Sequence, residues 1–220
     1  MVVLDNVEKT YRTRSGIVRA LRDINLHIEK GRFIVICGPS GSGKTTLLMV
    51  IAAMLRPTRG TVCVEQNDLY KMSIRDRARF RAGNIGFIFQ MFHLIPYLNV
   101  IENVTFAGGV VGESKNTAKA RDLLKQLGLT ERVFHKPAQL SAGEKQRVAI
   151  ARAMFNRPKI ILADEPTGNL DPENAASVIG YLSEFHRGRG TVILATHQLQ
   201  AQKFADRVIH LCDGSIDKHS

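Results

Sequence analysis

The sequence predicts an α/β fold with an N-terminal antiparallel β-subdomain and an inserted α-helical subdomain. Three observations predict it. A glycine-rich loop, Gly38-Pro39-Ser40-Gly41-Ser42-Gly43-Lys44-Thr45, joins an apolar, β-rich run at 33–37 to an apolar run at 47–55 that reads as a core helix. Residues 2–28 alternate apolar and polar positions, as half-buried antiparallel strands do. Residues 91–157 carry helical patterns, with a strand-like run only at 110–111.

In chain order, Val3, Val7, Leu21, Ile24, Leu26 and Ile28 suit two antiparallel strands interrupted near 13–16. Glu29-Lys30-Gly31 turns the chain into the strand at 33–37, and the helix behind the glycine loop is expected to end at Pro57 and Gly60. A strand at 61–64, a turn and helix over 68–81 and a strand at 85–89 follow. In the helical segment, 110–111 is the one candidate strand, and Ser114 is placed to cap a helix with Ala118, Leu123, Leu124 and Leu127 inside, closed by Gly128. Ser141-Ala142-Gly143-Glu144 has the S-x-x-E form of a capping box and opens a helix that stops before Pro158. An apolar strand at 160–165 ends in Asp164 and Glu165. Asp171-Pro172 is an N-cap with proline at N1, and the helix behind it puts Ala175, Val178, Ile179 and Leu182 on one side, with Gly188 and Gly190 at its end. A strand at 191–196 leads to His197, and 207–216 reads as a hairpin turning at Asp213-Gly214.

Composition limits the functional classes. Length is 220 residues with 44% apolar content, enough for one large domain or a core with an insertion. The longest wholly apolar run, 47–55, falls well short of the ~20 residues a membrane span needs. Asp5, Glu8 and Lys9 interrupt the N-terminal stretch and argue against a secretory signal. Cys37, Cys63 and Cys212 are far apart and form neither a metal pattern nor a disulfide framework; buried, reduced thiols are expected. The formal charge of +11 fits nucleic acid, anionic lipid or a polyanionic nucleotide as partner. Its densest cluster, Arg75, Arg77, Arg79 and Arg81, falls on two helix faces, so a solvated helix is favoured over a nucleic-acid footprint.

The glycine loop fits G-x-x-x-x-G-K-[ST] at every fixed position and has the strand and helix flanks that pattern requires. Glycines bring backbone N–H groups close to phosphate oxygens, and the helix start adds more free N–H groups and the positive end of its dipole. Lys44 would reach the β- and γ-phosphates, and the Thr45 hydroxyl would complete the shell of a Mg²⁺ ion. Ligands of open α/β sheets bind beyond the carboxyl ends of strands. Gln90, Asp164-Glu165 and His197 occupy such ends together with the glycine loop. Asp164 suits the outer shell of Mg²⁺. Glu165 either orients and deprotonates an attacking water or caps the Pro166-Thr167-Gly168 turn. His197 is placed to hydrogen-bond a γ-phosphate, whereas His135, His186, His210 and His219 read as structural. Tyr11 is either a half-buried strand aromatic or a stacking surface for a nucleobase.

Residues 38–45, Leu140-Ser141-Ala142-Gly143-Glu144, 160–165, Asn169-Leu170-Asp171 and His197 resemble the motifs of ABC-transporter ATPase subunits, in order and spacing along essentially the whole chain. They correspond to Walker A, signature, Walker B with its following glutamate, D-loop and switch histidine. The resemblance implies a P-loop NTPase (RecA-like) core, 1–90 and 158–220, with a helical subdomain at about 91–157. It implies ATP held by Tyr11, by the loop from Gly38 to Thr45 and by Thr46, with Mg²⁺ at Thr45, Gln90 and Asp164. Lys44, Gln90, Glu165 and His197 would serve hydrolysis. Ser141, Ala142, Gly143, Glu144 and Asp171 would meet the nucleotide of a second copy in a head-to-tail homodimer. Implied partners are integral membrane permease subunits and no nucleic acid, with the chain peripheral on the cytoplasmic face of the bacterial inner membrane.

Residues 11–26 and 87–104 further resemble the lipoprotein-release and macrolide-exporter group, in which ATP-driven closure powers export or extraction of a substrate. The cell-division ATPase that drives wall hydrolysis without carrying cargo looks similar. Ala142 stands where the family has the first glycine of a pair, a position whose helical φ/ψ alanine accepts. Lys145 stands where arginine or glutamine is common, and Gln198 where aspartate is frequent. The chain stops soon after Ile216, so no C-terminal regulatory domain is expected.

Overall fold

Strand β1 (Val2–Thr13) and strand β2 (Gly16–Ile28) form the long hairpin that the alternation predicts, paired from Val2↔Ile28 to Thr13↔Gly16. The computed structural model describes residues 1–14, 16–113 and 116–217. Buried Val2, Leu4, Val7, Leu21, Ile24, Leu26 and Ile28 make the inner face of the hairpin. The chain then forms β3 (Phe33–Cys37), α1 (Lys44–Ile51), β4 (Arg59–Val64), the short β5 (Asn67–Asp68) and α2 (Ile74–Asn84). Next come β6 (Ile85–Ile88), α3 (Val100–Phe106), α4 (Thr117–Gln126), α5 (Ala142–Met154), β7 (Ile160–Asp164) and α6 (Pro172–Arg187). Strands β8 (Thr191–Ala195), β9 (Arg207–Cys212) and β10 (Ser215–Ile216) close the chain.

The residues group into two units, Met1–Arg77 with the segment from Phe185 onward, and Ala78–Glu184. The first holds an antiparallel sheet of order β2-β1-β4-β5 and the strands β10-β9-β3-β8. Strand β3 runs parallel to both neighbours, with Ile36 opposite Ala195 and Cys37 opposite His210. Every residue of β3 and β8 is buried, as expected of parallel strands covered on both faces. The β9–β10 hairpin turns at Asp213 (φ 46°) and Gly214 (φ 77°), the two positive φ values of a type I′ turn.

In the second unit β6 and β7 are parallel, with Ile88 opposite Ala163. A Cβ on Gly86 would lie 2.5 Å from the Ala153 carbonyl oxygen, so only glycine lets β6 approach α5 this closely. Helix α3 is capped by Asn99 and Glu102 in a full capping box.

Several local expectations are corrected. The apolar run at 47–55 is not helical throughout. Helix α1 ends at Ile51, Ala53 is left-handed (φ 57°), and the Tyr70 hydroxyl lies 2.5 Å from the Leu55 carbonyl and 2.8 Å from that of Val50. A side chain thus reaches the Val50 carbonyl, which a longer helix would have used, and the Leu55 carbonyl beyond it. Residues 110–111 belong to a 3₁₀ turn, Gly109–Val111, and form no strand. Ser114 lies outside the described residues; the side-chain cap of α4 is Asn116, whose Oδ1 accepts the Lys119 N–H at 3.1 Å. Ala118 is exposed, and Ala120, Leu124 and Leu127 supply the buried side. Only Cys37 of the three cysteines is buried; Cys63 is half-buried and Cys212 exposed. Helix α2 buries none of its residues, in keeping with a solvated arginine-rich helix. His186 is structural, with Nε2 3.0 Å from the Gly31 carbonyl and 3.3 Å from Asp206. His219 lies outside the described residues.

Candidate active site

In the first unit the glycine loop leaves the buried end of β3 and enters α1. A Cβ on Gly38 would lie 2.1 Å from the Leu211 carbonyl oxygen, and one on Gly43 would lie 2.4 Å from that of Ala20. Both positions also have positive φ, 156° and 106°, so the loop's path is open to glycine alone. Gly43 is the N-cap of α1 and, having no side chain, satisfies none of the helix's leading N–H groups. The first turn holds no acidic residue either. Lys44 is only 8% exposed, and its Nζ bends back to donate to the carbonyls of Gly38 (2.8 Å) and Pro39 (3.0 Å). Ser42 is buried, and its Oγ meets no hydrogen-bond partner among the described residues. Uncapped amides, a buried ammonium and an orphaned buried hydroxyl form a donor set suited to a polyphosphate.

Two further candidate residues, His197 and Tyr11, lie in this unit. His197 is exposed and follows buried Thr196. The Thr196 N–H donates to the Ile36 carbonyl, and its Oγ1 accepts the Gln198 N–H, each at 3.1 Å. The backbone on either side of His197 is thereby fixed beside the end of β3, with Gln198 serving as a backbone donor. Tyr11 lies opposite Val18 on the β1–β2 hairpin with its ring partly exposed. Lys9 Nζ sits 5.1 Å from the ring centroid and donates to the Arg56 carbonyl at 2.8 Å, so a tethered ammonium steadies the ring.

In the second unit the parallel pairing of β6 and β7 brings Gln90 and Asp164-Glu165 to adjacent strand ends. Asp164 is buried as the last residue of β7. Glu165 has φ 44°, a left-handed conformation that strains a long side chain and that functional sites often retain. The Gly168 N–H donates to the Glu165 carbonyl at 3.1 Å, and a Cβ on Gly168 would come within 3.2 Å of Gln90 Nε2. Asn169 Nδ2 donates to the Gln90 carbonyl at 3.3 Å. Gln90 is thus seated against the 165–169 loop.

The capping box at α5 is formed. Ser141 Oγ accepts the Glu144 N–H at 3.2 Å, and Glu144 Oε2 accepts the Ser141 N–H at 2.8 Å. Glu144 Oε1 also accepts Arg132 Nε at 2.7 Å. The Ser141 N–H, with Arg132 second, holds the Glu144 carboxyl below its ordinary value. A depressed native value stabilises fully above the unfolded-state value, ~4.3, and the contribution disappears as pH falls through the native value. Ser141→Ala is expected to cost ~1 kcal/mol of stability. A denaturant titration with near-parent stability would remove the serine from the capping role.

Sequence reasoning missed two features of this unit. Asn174 donates its N–H to Asp171 Oδ1 at 2.9 Å and Nδ2 to Asp171 Oδ2 at 2.7 Å, while its Oδ1 accepts Arg147 Nη1 at 2.9 Å. Arg152 donates to the carbonyls of Phe92 (2.7 Å) and His93 (2.5 Å), and burial lowers its pKa. An Asp-x-x-Asn spacing at a helix start was the available signal for the first; nothing local pointed to the second.

A glycine loop lined with donors at a strand end, a left-handed glutamate after an acidic strand end and a second capped helix start suit a cassette ATPase. The family model described as ABC transporter matches residues 21–168, and the chain belongs to that family as an ABC-type, ATP-binding ATPase with the P-loop NTPase fold. The lipoprotein-releasing system ATP-binding protein LolD 2 of Caulobacter vibrioides is 43% identical over 220 residues, covering 99% of this chain and 96% of that protein. The macrolide export ATP-binding/permease protein MacB of Bartonella henselae is 38% identical over 98% of this chain, which spans 33% of MacB. The dimeric, post-hydrolysis structure of the ATP-binding cassette MJ0796 bound to ADP and Pi matches with a TM-score of 0.92 at 38% identity, covering 99% of this chain and 97% of that one.

Proposed function

We propose that two copies of this chain close head to tail on ATP and Mg²⁺, and that closure and hydrolysis drive export or extraction of a substrate by separate transmembrane subunits. The observation that carries the proposal is the presence of two distinct helix starts prepared for phosphate: the glycine-capped start of α1 and the Ser141-capped start of α5. The dimeric MJ0796 cassette with ADP and Pi and the lipoprotein-releasing LolD 2 support the pairing and the transport role.

In this mechanism the backbone from Gly38 to Gly43 cradles the phosphates, with Pro39, Ser40, Gly41 and Ser42 lining the turn and Thr46 behind it. Lys44 exchanges its bonds to the loop carbonyls for bonds to β- and γ-phosphate oxygens. Tyr11 stacks on the adenine. Thr45, Gln90 and Asp164 are the hydroxyl, amide and carboxylate oxygens that fit Mg²⁺, an ion that keeps most of its waters. When bound, the ion neutralises charge building on the phosphate oxygens. Glu165 accepts a proton from the attacking water, and His197 donates to the γ-phosphate. Ser141, Ala142, Gly143 and Glu144 at the start of α5, with Asp171, meet the nucleotide of the other copy. Loss of phosphate removes part of what joins the copies, and the dimer opens.

Among the described residues no helix is long and apolar enough to cross a membrane. Exposed Met91, Tyr97 and Phe106 support docking of a permease on the segment that follows Gln90, and with it a peripheral position on the cytoplasmic face of a bacterial inner membrane. The test of the pairing is the concentration dependence of hydrolysis. Below the dimerisation midpoint the rate should rise with the square of chain concentration. A rate strictly proportional to concentration, over a range where the chain is monomeric, would rule the sandwich out.

A further inference from the structure

We propose that Asn174 is a positioning residue that fastens the N-terminal turn of α5 to Asp171, and that Gly143 lacks a side chain because Asn174 occupies its place. The inference rests on the dimer reading above, since it concerns the two elements assigned there to the partner's nucleotide.

Asp171 accepts the Asn174 N–H at 2.9 Å, as the cap of α6. That bond alone would complete the cap. The second carboxylate oxygen is also engaged, by Asn174 Nδ2 at 2.7 Å, and the opposite end of the amide accepts Arg147 Nη1 at 2.9 Å. The amide's orientation is set by chemistry: a guanidinium can only donate and an ionised carboxylate can only accept, so Oδ1 must face Arg147 and Nδ2 must face Asp171. Two Asn174 donors hold the Asp171 carboxyl below its ordinary value, which keeps it ionised and accepting.

Gly143 and Arg147 lie four residues apart, on one face of α5, and both meet Asn174. A Cβ on Gly143 would fall 2.2 Å from Asn174 Oδ1, 2.5 Å from Cγ and 2.9 Å from Nδ2. The backbone φ of Gly143 is not among the positive values, so the glycine is required for space and not for its torsion angle. Alanine at 143 would push the amide aside and break its bonds to Arg147 and Asp171 together. Asn174 therefore sets the distance between the Ser141–Gly143 turn and Asp171, so that both arrive at a partner's nucleotide in one motion.

The test uses the full chain in a Glu165→Gln background, with dimer formation in MgATP read by light scattering and nucleotide binding to the monomer read with a fluorescent ATP analogue. Asn174→Ala should leave monomer binding unchanged and raise the chain concentration needed for the dimer by about tenfold, the scale for losing hydrogen bonds to charged groups. Asn174→Leu, which fills the space without donor or acceptor, should be as defective. Gly143→Ala should reproduce the loss, and Gly143→Ala with Asn174→Ala should be no worse than Asn174→Ala alone. If Asn174→Ala does not fold, Arg147→Met removes the other arm and should weaken the dimer in the same direction. Normal dimerisation of the foldable variant, rescue by leucine, or additive losses in the double variant would overturn the inference. A Glu165→Gln parent that stays monomeric in saturating MgATP overturns the sandwich reading itself, and this inference with it; a dimeric parent with an unaffected Asn174→Ala variant overturns the inference alone.

Discussion

Glu165→Gln binds ATP as the parent does, turns it over at least ~100-fold more slowly and accumulates as an ATP-bound dimer; this is the largest expected effect. The substitution keeps the side chain's size and its place after β7, where Glu165 holds a left-handed backbone at φ 44°. What it removes is the ability to take a proton. A positioned base contributes ~100- to 10,000-fold, so the loss should appear in kcat and leave nucleotide affinity untouched. Steady-state hydrolysis at the parent rate would take the base role away from Glu165. A fall in both affinity and rate would instead point to a side chain that shapes the Gly168–Gln90 seat, since the Glu165 carbonyl accepts the Gly168 N–H.

Lys44→Ala should lower ATP affinity by about ten- to a hundredfold, the scale of losing charge-assisted hydrogen bonds worth ~1.5–3 kcal/mol. The folded state should tolerate the change. Lys44 donates to the carbonyls of Gly38 and Pro39, both in the loop itself, and the loop's backbone path is set by its glycines. A fluorescent-ATP titration measures the affinity and a thermal melt checks the fold. Parent-like affinity with an intact fold would show that the loop amides bind the phosphates without the ammonium.

The glycine loop, the capping box at Ser141 and the Asp171-Pro172 helix start were legible in the sequence because each is a local arrangement. Their hydrogen bonds close within a few residues, so spacing alone specifies them. The hairpin of β1 and β2 was legible for the same reason, through alternation over a long stretch. Helix α1 differs from the expectation because it stops inside an apolar run, at a left-handed Ala53, where the hydroxyl of the distant Tyr70 reaches the Val50 and Leu55 carbonyls. Ala118 falls outside because the buried side of α4 runs through Ala120, Leu124 and Leu127, spaced i, i+4 and i+7. The fixed seat of Gln90 depends on Gly168 and Asn169, and the clasp on Asp171 on Arg147. Those partners are distant in the chain, and no periodicity encodes them.

Arg152 gives the second unit a mechanical property. One planar guanidinium grips two successive carbonyls of the loop behind Gln90, from a helix whose other end begins at Ser141. Anything that tugs that loop must either drag the helix along or release both grips at once. A displacement at Phe92 and His93 is therefore handed on along a stiff rod some thirteen residues long, rather than dissipated in slack backbone.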